Sequence, residues 1–134
     1  MTEQEIVKEL NKISEVKGFV LAKNQYSHYD AENKENIVEI KSRRAKYDPH
    51  LIEYYKAVKN EEIASKKGKD FLYLVEHNQY LYIWNISQMV QEDYDFKFEK
   101  RVMPKTTDFD DNSKKEKVVG YLYEKDAIKI DLIS

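Results

Sequence analysis

Two apolar runs separated by a two-residue turn constrain the fold of this chain more than any other feature. Residues 71–77 read FLYLVEH and residues 80–86 read YLYIWNI. Both runs are rich in aromatic and β-branched side chains, which favour strands. Asn78 and Gln79, between the runs, give the commonest length of a hairpin loop. The pattern therefore predicts a β-hairpin in the central sheet of the protein.

Two helices are predicted upstream of this hairpin. A capping-box pattern begins at Thr2 and is followed by apolar residues at helical spacing, which predicts a helix over residues 2–16. Asp48 is a good N-cap, and Pro49 suits the first helical position because its missing N–H has no partner to lose there. We therefore expect a second helix from this point to about Lys67.

Short strands are expected between the two helices and after the hairpin. Residues 19–25 and 27–32 predict two strands, and the polar tetrapeptide NKEN then turns the chain into a third strand over residues 37–44. The whole chain, residues 1–134, is expected to form one α/β (α+β) domain in which helices flank a central mixed sheet. Its core would span residues 2–87, and residues 88–134 would form a β-rich C-terminal extension.

Composition excludes several classes of site. The chain has no cysteine, so disulfides, thiolate zinc sites and cysteine nucleophiles are ruled out. The N-terminal residues are polar and acidic, and no later run approaches the roughly 18 apolar residues of a membrane span. We therefore expect a cytoplasmic protein with no membrane association. If the chain is encoded by a phage, that compartment would be the cytoplasm of the host.

Positive charge is concentrated in one part of a nearly neutral chain. The net charge is −2, yet residues 41–69 hold nine Lys or Arg against four Asp or Glu. This excess begins at Arg43, Arg44 and Lys46. Such asymmetry would let one face of the protein meet a polyanion. A second polar and basic segment, which contains Arg101 and Lys105, is of the type that grips a phosphate backbone.

Acidic and basic side chains share one face of the strand at residues 37–44. Successive side chains of a strand alternate between its faces, so Val38 and Ile40 are expected to face the core while Ile37, Glu39, Lys41 and Arg43 face the other way. An antiparallel pairing through the NKEN turn would bring Asp30 close to Glu39. Two carboxylates and one ammonium group would then lie within a few ångströms of one another.

This set suits metal-assisted phosphodiester hydrolysis. Asp30 and Glu39 supply the hard oxygen ligands that Mg²⁺ prefers, with Mn²⁺ as a substitute, and the backbone carbonyl of Ile40 could add another ligand. Lys41 could orient or deprotonate the attacking water, or neutralise the charge that develops on the phosphate.

The order of these residues resembles the PD-(D/E)xK nuclease superfamily, which includes restriction enzymes, phage exonucleases and Holliday-junction resolvases. Asp30 and then Glu39-Ile40-Lys41 match its motif, behind a first helix and ahead of a second helix and two strands, although Tyr29 stands where the motif has proline. The resemblance covers roughly residues 2–87. It implies an α-β-β-β-α-β-β restriction-endonuclease-like core, dependence on Mg²⁺ and hydrolysis of DNA.

The resemblance also implies further site residues. Glu9 matches the glutamate that many members carry in the first helix. Lys59, with Lys56 as the alternative, matches a lysine that small phage-type members carry in the second helix. Contacts of the basic residues with DNA phosphates follow from the same interpretation. Because the chain is short, we expect structure-selective cleavage by a homodimer, in which paired sites meet branched DNA.

Two other interpretations stay open. A non-catalytic module that binds nucleic acid or protein could use the same sheet and its basic face without hydrolysis. A structural protein could carry these charges by coincidence, with Asp30, Glu39 and Lys41 on the solvent face of an amphipathic strand. An exposed ion pair of that kind contributes less than about 1 kcal/mol.

Overall fold

The computed structural model describes residues 1–13, 18–22, 27–104 and 114–132. Within those residues the elements are, in order, α1 (Glu3–Leu10), β1 (Val20–Leu21), β2 (Ala31–Glu32), β3 (Asn36–Arg43), β4 (His50–Glu53), α2 (Tyr54–Lys67), β5 (Asp70–His77), β6 (Tyr80–Asn85), α3 (Ile86–Gln91), β7 (Glu99–Pro104), β8 (Lys114–Leu122), a 3-10 turn (Glu124–Asp126) and β9 (Ile128–Asp131).

The central sheet is mixed, as predicted, and helices flank it. Its strand order is β1-β2-β3-β5-β6-β9, with β3 and β5 parallel and the other neighbours antiparallel. The predicted β5–β6 hairpin is confirmed. Asn78 and Gln79 form its turn with φ of 50° and 64°, the positive values that two-residue hairpin turns favour. The protein is therefore a mixed α/β structure with a high content of strand.

Helix α1 begins as predicted but is shorter. Thr2 and Glu5 form the capping box. The helix ends at Leu10, because the Asn11 side chain accepts a hydrogen bond from the Phe19 N–H at 2.8 Å and donates one to the Phe19 carbonyl at 3.0 Å. These bonds turn the chain back toward β1. The predicted helix end, residues 14–17, lies outside the described residues.

The predicted start of α2 is wrong by several residues. Residues His50–Glu53 form strand β4, which pairs antiparallel with β8, and α2 begins only at Tyr54. Asp48 does not cap a helix, because its carboxylate accepts a hydrogen bond from the Glu124 N–H at 3.2 Å. The pairing partner lies about 70 residues away in the chain, so local helix-start signals could not reveal it. The predicted end is confirmed, since Gly68 caps the helix in the left-handed conformation at φ 66°.

The central sheet is covered on both faces. Val38 and Ile40 pack in one core cluster with α1, as predicted. Ile37, which we expected on a surface face, is fully buried in a second cluster that includes Ala57 and Ala64 of α2. On β3, Glu39 next to Ile37 is also buried, and this face becomes partly exposed at Lys41 and Arg43.

The segment after residue 87 contributes to both sheets. Strand β9 forms one edge of the central sheet. Strands β7 and β8 join β4 in a separate antiparallel sheet of order β4-β8-β7, in which Val119 and Leu122 are fully buried. Among the described residues, no helix is long and apolar enough to cross a bilayer.

Candidate active site

A cleft opens at the edge of β3 where strand β2 ends. The last regular contact between the two strands is the hydrogen bond from the Asp30 N–H to the Val38 carbonyl, at 2.8 Å. Beyond it, the Asp30 side chain replaces the missing strand, and its Oδ2 accepts the Ile40 N–H at 2.6 Å. The cleft has a volume of about 220 Å³ and is lined by Glu3, Ser27, His28, Asp30, Glu39, Ile40, Lys41 and Lys56.

The structure brings together the three residues on which the sequence interpretation depends. Asp30, Glu39 and Lys41 all line this cleft. Glu39 is only 7% exposed, and its Oε1 lies 3.5 Å from Nζ of Lys41. Lys41 keeps 28% of its side chain exposed, so its ammonium group contacts both the buried Glu39 carboxylate and solvent.

Burial raises the pKa of each acidic group in the cleft. For Glu39, burial raises the pKa, the Lys41 ammonium lowers it, and the negative charge of Asp30 raises it. For Asp30, burial again raises the pKa, while the Ile40 N–H and Lys41 lower it. Burial and Asp30 raise the pKa of Glu3. The cleft therefore holds negative charge at a free-energy cost that a cation would relieve.

Glu3 takes the place at which Glu9 was expected. Glu3 lines the cleft, and its carboxyl shares a hydrogen bond with that of Asp30. Glu9 lies further along α1 and forms an ion pair with Lys12 at 2.9 Å. The first turn of α1, rather than its last, reaches the cleft. The apolar spacing of α1 indicated which face is buried but did not indicate which turn lies beside Asp30.

A similar difference separates Lys56 from Lys59. Lys56, the alternative in the sequence interpretation, lines the cleft, and its Nζ lies 2.9 Å from Oε2 of Glu53. The hydrogen bond with Glu53 raises the pKa of Lys56. Lys59 does not line the cleft, and its side chain is 51% exposed, with Nζ 3.9 Å from Glu62. The structure therefore places Lys56 beside the carboxylates and leaves Lys59 on the surface.

The cleft is lined by oxygen-bearing side chains of the type that bind Mg²⁺ in proteins. Mg²⁺ in proteins is usually held by one or two carboxylates and keeps several waters. Asp30 and Glu39 supply two carboxylates. The Ile40 carbonyl faces the same strand edge as the Ile40 N–H that Asp30 accepts, because both groups of a strand residue point to one neighbour. No group of three or more His, Asp or Glu side chains in the described part of the chain is placed to hold a metal ion.

The residues that the sequence predicts to contact phosphate lie in different parts of the structure. Arg43 and Arg44 line a second cleft of about 820 Å³ at the end of β3, two residues beyond Lys41. Lys46 is exposed and lines neither of these clefts. Arg101 is exposed on β7. Lys105 lies outside the described residues.

Comparison with known proteins does not assign a family. No protein-family model matches this chain, and no curated protein is significantly similar to it. The functional interpretation therefore rests on the chemistry of the cleft and on the order of the motif residues.

Proposed function

We propose that the protein is a divalent-metal-dependent nuclease that hydrolyses phosphodiester bonds in DNA. One observation carries the proposal: the buried carboxyl of Glu39 and the half-buried carboxyl of Asp30, both with raised pKa, line one cleft beside the ammonium group of Lys41. A purely structural role would favour fewer acids in so small a space. A site that binds a cation and a phosphate uses each of these groups.

Each residue has a distinct role in this proposal. Asp30 and Glu39 would hold the ion, and the Ile40 N–H fixes the position of the Asp30 carboxylate. Mg²⁺ bound there would polarise the phosphate and lower the pKa of a coordinated water. Lys41, held by Glu39, can donate hydrogen bonds to the attacking water and to a non-bridging phosphate oxygen, on which charge accumulates during attack.

The substrate would approach from the solvent side of Lys41. Lys56 adds positive charge on the α2 side of the cleft, and Arg43 and Arg44 add it beyond the end of β3. Water attacks the phosphorus, the bond from phosphorus to the leaving oxygen breaks, and the proton of the water passes to solvent. The products are a phosphate monoester end and a hydroxyl end.

The test is incubation with supercoiled, linear, single-stranded and four-way-junction DNA in Mg²⁺ or Mn²⁺. We expect cleavage that disappears in EDTA and in Asp30→Asn and Glu39→Gln. Preference for the junction, together with a dimeric mass in solution, would support the homodimeric, structure-selective form of the proposal. Metal-independent cleavage, or cleavage that persists in both variants, would refute the assignment of the site.

A non-catalytic nucleic-acid-binding module is the second candidate. It is favoured by the observation that the described residues do not present three acidic or histidine ligands together. A titration with Mn²⁺ separates the two candidates. A nuclease site binds Mn²⁺ at Asp30 and Glu39, whereas a module that only binds nucleic acid does not.

A further inference from the structure

A series of side-chain contacts leads from the cleft to the second sheet. Lys56 lines the cleft and forms an ion pair with Glu53, the last residue of β4. The other carboxylate oxygen of Glu53 accepts from Nζ of Lys117 on β8. Lys117 lies directly opposite Arg101 on β7, and Lys115 precedes it by two residues on the same face of β8. These contacts place one face of the second sheet next to the cleft. We call this face, with Glu53, Arg101, Lys115 and Lys117, the wall.

Positive charge is in excess along this wall. Arg101 and Lys117 are direct cross-strand partners, so their Cβ atoms lie about 5 Å apart, and like charges in that arrangement are destabilising. Glu53 is shared between Lys117 and Lys56, so it neutralises only one of the two. Arg101 and Lys115 take part in none of the ion pairs formed within the described residues.

Neighbouring acids do not remove the excess. Glu99 lies on the same face as Arg101, and its carboxylate accepts a hydrogen bond from the Tyr121 hydroxyl. With Glu99 and Glu53 both counted as negative, the four cations Lys56, Arg101, Lys115 and Lys117 still outnumber the acids by two. The ion pair of Lys100 with Glu116 joins residues that alternate onto the opposite face of the sheet. The wall thus has two exposed cations, Arg101 and Lys115, that form no ion pair within the described residues. An external anion there would also relieve the repulsion between Arg101 and Lys117.

We propose that Arg101, Lys115 and Lys117 form a phosphate track that holds the backbone of a polynucleotide as it leaves the cleft. Lys115 and Lys117 are about 6.8 Å apart along the strand, so each can contact a different phosphate of one nucleic-acid strand. The ligand is therefore a nucleic-acid strand several nucleotides long rather than a single nucleotide. This inference rests on the proposed function, because the cleft fixes where the strand begins.

The test measures binding in EDTA, where metal-dependent cleavage is absent. The affinity of a duplex of about 20 base pairs is followed between 50 and 200 mM salt for the wild type and for Arg101→Ala/Lys115→Ala. The control is Lys66→Ala/Lys100→Ala, which removes the same charge from exposed positions outside the track. Lys115→Ala alone is a second variant, which removes one cation of the track and leaves in place Arg101, a hydrogen-bond partner of Tyr121.

The counterion-release slope gives the expected size of the effect. Each lost phosphate contact lowers the slope of log K against log salt by about 0.9 for duplex DNA, so the double variant should lose about 1.8 and Lys115→Ala about 0.9. Over a fourfold rise in salt, the wild type then loses about twelvefold more affinity than the double variant. The control should keep the wild-type slope. Equal slopes for the double variant and the control would overturn the track.

The result also separates the track from the nuclease proposal. Cleavage in Mg²⁺ by the wild type, with equal slopes for all variants, would refute the track and leave the nuclease intact. A slope that falls as expected in a protein that never cleaves DNA would support the track and refute the nuclease.

Discussion

The carboxylate of Asp30 accepts a hydrogen bond from the backbone N–H of Ile40 at 2.6 Å. Because Ile40 directly follows Glu39 in β3, this bond holds Asp30 beside Glu39. Strand β2 begins at Ala31, one residue after Asp30, so the edge of β3 beyond Val38 is left to the Asp30 side chain. The same bond that completes the edge of the sheet also orients a candidate metal ligand. The position of Asp30 is therefore set by backbone geometry rather than by a flexible loop.

Replacing Glu39 by glutamine should stabilise the protein without metal. Burial raises the pKa of Glu39, so the ionised side chain opposes folding at neutral pH, and a neutral amide of the same shape removes that opposition. We therefore expect a higher melting temperature in EDTA for Glu39→Gln than for the wild type. Glu62→Gln, on the exposed face of α2, is the matched control.

Mn²⁺ should reverse the order of these melting temperatures. An ion at one hundred times its Kd adds about 2.7 kcal/mol to a folded state that alone binds it. The wild type should therefore gain stability with Mn²⁺, and Glu39→Gln should gain little. Equal gains in both proteins would place the ion elsewhere.

The advantage of Glu39→Gln should grow as pH rises. A carboxyl with a raised pKa keeps its proton in the folded state at pH values where the unfolded chain, at its ordinary 4.5, has released it. The unfolding free energy of the wild type therefore falls relative to the variant as pH rises through that window. Thermal melts from about pH 4 to about pH 7 test this difference. If the difference in stability between the two proteins stays constant over this range, the pKa of Glu39 is the same in the folded and the unfolded chain, and the prediction is wrong.

Lys56 and Lys59 should differ in their effect on DNA cleavage. Lys56 lines the cleft and Lys59 is half exposed outside it, so Lys56→Ala should lower kcat/KM while Lys59→Ala leaves it near the wild-type value. Lys41→Ala should lower the rate by about 10²- to 10⁴-fold, the usual range for a positioned proton-transfer group. A larger loss in Lys59→Ala than in Lys56→Ala would contradict the placement of α2 beside the cleft.

Glu32 should stabilise the fold at neutral pH and lose this effect in acid. Hydrogen bonds from Lys69, and then from Tyr29 and Lys67, lower its pKa to about 2, although burial acts in the opposite direction. The stabilisation is present above the ordinary value of 4.5 and disappears as pH falls through about 2. Glu32→Gln should therefore unfold more easily than the wild type at neutral pH, with the two proteins converging in strong acid. Chemical denaturation at a series of pH values measures the unfolding free energy of both proteins. If their difference does not change with pH, the hydrogen bonds to Glu32 do not lower its pKa.

Gly120 should not tolerate alanine, because Phe98 occupies the space above it. A Cβ at this position would lie 2.6 Å from Cε1 of Phe98 and 3.0 Å from Cβ of Phe96. Gly120→Ala should lower the unfolding free energy by about 1–3 kcal/mol, as overpacking typically does. Gly120→Ala should therefore lower the unfolding free energy less in a Phe98→Ala background than in the wild type. Additive effects would show that the two residues do not clash.

The sequence alone determined the elements whose signals are local. The two-residue turn at Asn78 and Gln79 and the left-handed cap at Gly68 appear in the structure where the sequence predicted them. Alternation along β3 correctly separated Val38 and Ile40 from the face that carries Glu39. These features depend on residues close together in the chain, so period and turn chemistry are enough to find them.

Tertiary structure alone decided the start of α2 and the membership of the cleft. Residues His50–Glu53 became a strand because β8 was available to pair with them, and this pairing is invisible to a local pattern. The choice of Glu3 over Glu9, and of Lys56 over Lys59, depends on which turn of each helix lies against the open edge of β3. Helical periodicity specifies a face but not a position along the axis, so only packing against the sheet could fix these residues.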